Sequence, residues 1–219
     1  MTHTWDPHSI APEHAIQRLA EGNLRFIRSS LTRLTRGWDP ELAAAPQRPF
    51  AIILGCSDSR IPVEIVFDQG FGDLFVVRVA GNIVTPAVVG SIELAATAFG
   101  SRLVVVMGHT RCGAISATVQ ALGTGRGAGS GQVRQITDAI APNIAALIGQ
   151  SSRPEALREA MRANVRASVE QLRHGGGVLQ QLVEAGRVSV VGSEYELETG
   201  TVHFLELEQR VSQGPRGAA

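Results

Sequence analysis

The amino-acid sequence predicts an α/β fold in which a central, mainly parallel β-sheet with an antiparallel edge hairpin is flanked by helices. Short apolar runs of strand length alternate along the chain with longer segments of helical periodicity, and this alternation is typical of parallel sheets. The apolar run at 50–55 has the pattern of a strand buried on both faces. The turn residues at 198–200 indicate the antiparallel hairpin between the last two predicted strands.

Periodicity and helix breakers give the predicted order of the elements. Apolar residues recur at helical spacing over 13–29, whereas 30–49 contains a glycine and three prolines and predicts a connection with at most a short helix. Five glycines within 123–131 predict a flexible loop. Strands are predicted at 50–55, at 74–79 (also buried, but interrupted by Arg78), at 102–107, at 187–196 and near 201–207. Further helices are predicted at 86–99, 112–122, 132–149, 154–173 and 178–185.

Length and composition fit one globular domain. We expect the 219 residues to form a single domain over 1–219, with an N-terminal helical arm at about 13–45 and a core at about 50–210. Twenty basic and twenty acidic residues balance to zero net charge, which argues against a nucleic-acid or membrane partner. No apolar stretch is long enough to span a bilayer, and 1–12 lacks the pattern of a secretory signal, so we expect a cytoplasmic protein.

Two polar motifs follow predicted strands, and they contain both cysteines of the chain. Cys56 follows the strand at 50–55, and His109 and Cys112 follow the strand at 102–107. Ligands of parallel sheets collect at the carboxyl ends of the strands, where both motifs fall. Two thiolates and an imidazole favour zinc and leave its fourth position open, as in catalytic sites. From the residues alone, a redox disulfide between Cys56 and Cys112 stays open as the alternative.

An acidic and a basic residue follow the first cysteine closely. Asp58 and Arg60 could form an ordinary surface salt bridge. Beside a metal ligand, however, the Asp58 carboxylate could act as a fourth ligand or accept a hydrogen bond from a metal-bound hydroxide. Arg60 would then hold Asp58 ionised and oriented.

With these residues the chain resembles the β-class carbonic anhydrases of bacteria, whose signatures Cys-x-Asp-x-Arg and His-x-x-Cys are both complete. The segments 21–26, 72–82 and 91–95 also resemble that family, and the resemblance covers roughly 13–207. It implies a β-carbonic-anhydrase-like fold. It also implies a lyase that reversibly hydrates carbon dioxide to bicarbonate and a proton through zinc-bound hydroxide.

The same resemblance implies roles for individual residues around the zinc. Cys56, His109 and Cys112 would bind one Zn²⁺ per subunit. Asp58 and Arg60 would form the catalytic dyad, with Asp58 ligating zinc only in a closed state. A branch of the family that is inhibited by bicarbonate has a tryptophan three residues before the first ligand, where this chain has isoleucine. That difference, together with Gln47, favours the state in which Asp58 pairs with Arg60.

Five further residues fall at substrate-binding positions of the family. Gln47 would donate to the substrate, and Phe75 and Ala80 would form the apolar wall of the carbon dioxide pocket. Leu94 stands where many members have a tyrosine, and Gly113 would offer a backbone group to the substrate.

The resemblance further implies a homodimer or a tetramer of dimers, with the site at the dimer interface. Gln47 and Phe75 would then serve a zinc held by the other subunit. Arg78 is expected to be structural and to close an ion pair near its strand end. Two other functions stay open: hydrolysis of carbonyl sulfide or carbon disulfide at the same site, and a non-catalytic zinc- or redox-sensing protein.

Overall fold

The computed structural model describes residues 9–32, 39–127, 129–147 and 154–205, and a five-stranded sheet forms its centre. The strands lie in the order β2-β1-β3-β4-β5. Neighbouring strands are parallel except for the antiparallel pair β4 and β5, so the predicted sheet with its edge hairpin is confirmed. The strands are β1 Ala51–Gly55, β2 Leu74–Arg78, β3 Leu103–His109, β4 Ser189–Tyr195 and β5 Val202–Phe204.

Helices cover the sheet, and most of them begin and end close to their predicted limits. The structure adds a one-turn helix, α3, and the helix predicted at 132–149 ends earlier, in a 3₁₀ turn at Ala145–Leu147. Residues 148 and 149 of that prediction lie outside the described residues. The helices are α1 Pro12–Ile27, α2 Pro40–Ala44, α3 Val63–Val66, α4 Pro86–Ala98, α5 Gly113–Thr124, α6 Gly131–Ile144, α7 Pro154–His174 and α8 Gly177–Glu184.

Strands β1 and β3 are neighbours inside the sheet and form its buried core, whereas the edge strand β2 is less buried. Every residue of β1 and β3 is buried. The prediction of a buried strand at 74–79 was wrong, because the side chains of β2 are only half-buried, with Arg78 exposed. The reason is position: β2 is an edge strand that pairs only with β1, so it lacks a second neighbour within this chain.

Ion pairs and hydrogen bonds attach helix α1 to the core. Arg25 Nε lies 2.5 Å from Oδ2 of the fully buried Asp68, and Arg18 pairs with Asp73 at the same distance. Asn23 donates to the carbonyl oxygens of Val66 and Gly200 and accepts from a backbone N–H of β5. These contacts set the position of α1 beside the sheet. Among the described residues, no helix is both long and apolar enough to cross a membrane.

Candidate metal centre

Two adjacent strands bring the predicted ligands together at one edge of the sheet. Cys56 directly follows β1, and His109 is the last residue of β3, the neighbouring parallel strand. Cys112 lies three residues further on, at the N-terminus of α5. The sulfur and ring nitrogen atoms of the three side chains all lie within 4.8 Å of one another, and all three residues are buried. Parallel strands end at the same edge, so the packing of the core sets this proximity.

The His109 ring has the hydrogen bonding of a metal ligand. Its Nδ1 lies 2.8 Å from the carbonyl oxygen of Thr110. A carbonyl only accepts, so Nδ1 carries the proton, and Nε2 presents a lone pair. Nε2 is buried and has no hydrogen-bond partner in the structure. A buried acceptor without a partner is costly unless something binds it, and a metal beside the two sulfur atoms would do so.

The two cysteines are free and buried, and their sulfur atoms lie within 4.8 Å of each other. The neighbouring Cys112 side chain is the largest cause of a lowered pKa at the Cys56 thiol, and the nearby His109 ring and the Gly81 N–H, 3.3 Å from Cys56 Sγ, act in the same direction. The neighbouring Cys56 side chain raises the pKa of the Cys112 thiol, and burial adds to that rise. Sulfur and imidazole donors suit zinc rather than magnesium or calcium, so these residues fit a zinc ion.

The predicted Asp58–Arg60 pair forms beside the ligand cluster. Arg60 donates twice to the Asp58 carboxylate, from Nε at 2.9 Å and from Nη2 at 2.7 Å, and its backbone N–H adds a bond of 3.0 Å. The Arg60 guanidinium holds the pKa of Asp58 well below its usual range. Asp58 therefore stays ionised, and its carboxylate is engaged by Arg60 rather than grouped with the three ligand atoms.

Arg78 is structural, as expected, but it binds the loop after β1 through other contacts than the predicted ion pair. Instead of closing an ion pair, it donates from Nε to the Cys56 carbonyl oxygen at 3.0 Å and from Nη2 to the Asp58 carbonyl oxygen at 2.7 Å. A guanidinium has several donors in a fixed plane, so one side chain can bind two carbonyl groups of a loop. Arg78 thus holds the backbone that carries Cys56 and Asp58.

The second ligand loop is attached to the turn between β4 and β5 through Glu198, a residue that the sequence reasoning missed. Thr110 Oγ1 donates to Glu198 Oε2 at 2.8 Å, and Arg111 Nε lies 2.6 Å from Oε1. These partners, Thr110 first, lower the pKa of Glu198. The sequence offered no signal for this contact, because Glu198 lies 88 residues from Thr110 in the chain.

The structure divides the five predicted substrate residues into two groups. Ala80 opens the 3₁₀ turn that contacts Cys56, and Gly113 directly follows Cys112, so both are next to the ligand cluster. Gln47 is exposed between α2 and β1, and Leu94 on α4 is 53% exposed. Phe75 is half-buried on β2, with its ring centroid 6.0 Å from that of Phe99.

Comparisons with known proteins agree on one family. The family model described as "Carbonic anhydrase" matches residues 51–202. The chain is 39% identical over 194 residues to a carbonic anhydrase of Mycolicibacterium smegmatis, covering 88% of this chain and 93% of that protein. It is 37% identical over 190 residues to carbonic anhydrase 2 of Mycobacterium tuberculosis, covering 86% and 90%.

A solved structure agrees with the sequence relatives. The β-carbonic anhydrase CafA of Aspergillus fumigatus superimposes with a TM-score of 0.64 at 28% identity, covering 80% of this chain and 86% of that one. The family model matches most of the chain and contains both ligand motifs. The chain therefore belongs to the β-carbonic anhydrase family.

Proposed function

We propose that this protein is a zinc-dependent carbonic anhydrase that catalyses the reversible hydration of carbon dioxide to bicarbonate and a proton. The observation that carries the proposal is the buried trio Cys56, His109 and Cys112, with the Asp58–Arg60 pair beside it, in a chain of this family. A non-catalytic sensor would need the cysteines but not the dyad.

The three buried side chains would hold one Zn²⁺ through Cys56 Sγ, His109 Nε2 and Cys112 Sγ. Three protein ligands leave one position of a tetrahedral ion open, as in catalytic zinc sites. When bound, zinc supplies Lewis acidity, which makes water a nucleophile near neutral pH. The Nδ1–H of His109, bonded to the Thr110 carbonyl, keeps the ring in the tautomer that ligation needs.

Asp58 would orient the attacking water. Its carboxylate accepts hydrogen bonds only, and Arg60 fixes its plane with two parallel bonds. Because Arg60 keeps the pKa of Asp58 low, the carboxylate is a poor store for the proton that hydration releases. Asp58 therefore aims the nucleophile, and the proton passes on to buffer.

The remaining predicted residues would bind carbon dioxide and stabilise the charge that develops on its oxygens. Ala80 and Gly113 adjoin the ligand cluster in this chain, and the backbone N–H of Gly113, at the N-terminus of α5, suits a developing negative charge. Gln47, Phe75 and Leu94 would complete the pocket together with a second subunit.

A homodimer, or a tetramer of dimers, would supply that second subunit. The support is the half-buried edge strand β2 and the exposed apolar side chains near it, of which Phe71 is 59% exposed. Exposed apolar surface of this kind is typical of protein interfaces. A cytoplasmic location stays a prediction.

Stopped-flow hydration of carbon dioxide, followed with a pH indicator, tests the function. Zinc-loaded wild type should hydrate carbon dioxide, and Asp58→Ala should lose on the order of 10²- to 10⁴-fold in rate, the usual contribution of such a group. Asp138→Ala, which removes an exposed carboxylate on α6, is the matched control and should keep wild-type activity.

Two outcomes would contradict the proposal in different ways. No hydration by fully zinc-loaded wild type between about pH 6.5 and 9, where such sites normally work, would exclude the activity, and carbonyl sulfide would be tested next. Full activity in zinc-loaded Asp58→Ala would instead remove Asp58 from the mechanism.

A further inference from the structure

A tight turn lies behind the first predicted zinc ligand. The 3₁₀ turn Ala80–Asn82 places the Gly81 N–H 3.3 Å from Cys56 Sγ. Gly81 has φ +70°, and a Cβ at this position would lie 2.7 Å from Ile140 Cδ1, so only glycine fits without a shift. The hydrogen bond from the Gly81 N–H to Cys56 Sγ therefore depends on the contacts that fix the backbone of Gly81.

The side chain of Asn164 on α7 holds the other end of Gly81. Asn164 is 1% exposed, and its Nδ2 donates to the Gly81 carbonyl oxygen at 3.0 Å. Its Oδ1 accepts from Asn143 Nδ2, also at 3.0 Å. A carbonyl can only accept, and Asn143 donates from its amide nitrogen, so both contacts require the same orientation of the Asn164 amide.

Helix α7 is packed too closely against the sheet for Asn164 to move away. A Cβ at Gly108, one residue before the ligand His109, would lie 2.5 Å from Met161 Sδ and 2.5 Å from Val165 Cγ2. Met161 and Val165 flank Asn164 on α7, so the helix contacts the ligand-bearing strand directly. An interior packed in this way holds a buried hydrogen bond in one geometry.

We propose that Asn164 is a positioning residue for the metal site, because it fixes the Gly81 backbone so that its N–H points at Cys56 Sγ. The hydrogen-bond series runs from Asn143 through Asn164 and Gly81 to Cys56. The inference rests on the proposed role of Cys56 as a zinc ligand. Partners outside the ligand set orient ligands and tune their charge, and an N–H that donates to a sulfur atom fixes its direction and stabilises the thiolate, the form that binds a metal.

The test measures how strongly the metal is held. Zinc-loaded wild type, Asn164→Ala, Asn164→Asp and Asn143→Ala are mixed with excess chelator, and zinc release is followed over time. Loss of an outer partner typically weakens metal binding about 10- to 100-fold, so Asn164→Ala should release zinc faster by a factor in that range. Asn164→Asp keeps the shape but cannot donate to Gly81 when ionised, and it should behave similarly. Asn143→Ala should have a smaller effect.

Ser168→Ala is the matched control for a general defect in α7. Ser168 is fully buried one turn further along the helix and also donates to the turn, but to the Asn82 carbonyl at 3.4 Å rather than to Gly81. It should release zinc at the wild-type rate. Circular dichroism of every variant, with and without zinc, shows whether it is folded.

A spectroscopic measurement separates positioning from a merely structural role. In cobalt-substituted protein, the thiolate-to-cobalt absorption reports on the metal–sulfur bond, and it should shift in Asn164→Asp and Asn143→Ala but not in Ser168→Ala. Folded Asn164 variants with wild-type zinc release and an unshifted band would overturn the inference. Failure of the wild type itself to bind zinc or cobalt would instead contradict the proposed metal site.

Discussion

The ligand cluster and the predicted substrate wall differ in how completely a single chain builds them. Cys56, His109 and Cys112 are buried, and Arg78 binds the carbonyl oxygen of the first of them. Gln47 and Leu94 are exposed, and Phe75 lies on the half-buried edge strand. One chain therefore completes the predicted ligand cluster and leaves the predicted substrate side open. This contrast is what a site at a subunit interface would produce.

The largest effect should come from the complete part of the site. Cys112→Ser removes one thiolate, and we expect the protein to lose stoichiometric zinc and its hydration rate to fall by about 10³-fold or more, because the acidity of the bound water depends on the metal. Metal analysis and stopped-flow hydration measure both. A Cys112→Ser protein that holds one zinc per chain with wild-type activity would show that Cys112 is not a ligand.

Arg60→Gln should have the next largest effect, because it removes the partner that orients Asp58 but leaves the three ligands in place. We expect full zinc occupancy and a loss of roughly 10- to 100-fold in hydration rate, since a misplaced group of this kind costs about that much. Without the guanidinium, the pKa of Asp58 should rise toward the ordinary value of about 3.9. ¹³C NMR of the carboxyl carbon measures that pKa in both proteins.

The pKa of Asp58 in Arg60→Gln tests whether the ion pair with Arg60 keeps this carboxylate ionised. If Arg60→Gln leaves the pKa of Asp58 as low as in wild type, the ion pair is not what holds the carboxylate ionised. Hydration of carbon dioxide at the wild-type rate in Arg60→Gln would show that Arg60 does not contribute to catalysis.

A substitution near β2, on the open side of the site, should change the oligomeric state and leave zinc binding intact. Phe71→Glu puts a charge at the exposed apolar position before β2, and burying it in an interface would weaken a dimer at least about tenfold. Light scattering after gel filtration should show smaller particles with full zinc occupancy. Val133→Glu on α6, another exposed apolar residue, is the control and should leave the assembly unchanged. An unchanged oligomer in Phe71→Glu would locate the interface elsewhere.

Local pattern was enough to predict the ligand-bearing parts of the fold. The apolar run at 50–55 and the motif that follows it are continuous in sequence, and the rule for parallel sheets places strand ends together. The burial of β2 was predicted wrongly, because a run such as Leu74–Arg78 has the same composition whether or not a second strand covers it. The order of the strands in the sheet decides whether β2 is covered, and that order depends on pairing between distant parts of the chain.

The long-range contacts around the predicted ligands could not be predicted from the sequence. Asn164 lies 83 residues from Gly81, and Glu198 lies 88 residues from Thr110. Asparagine and glutamate on helices and turns are normally solvated, so neither residue type signals such a role. Only the packing of α7 and of the β4–β5 turn against the ligand loops brings these pairs together.

Metal removal and stepwise return test the central claim most directly. The protein is stripped with a chelator under reducing conditions, checked for retained fold, and then titrated with zinc while hydration of carbon dioxide is measured at each step. We predict activity near the uncatalysed background in the stripped protein and a linear rise that stops at one zinc per chain. Activity that persists without zinc, or a fully loaded protein that does not hydrate carbon dioxide, would contradict the assignment of Cys56, His109 and Cys112 as a catalytic zinc site.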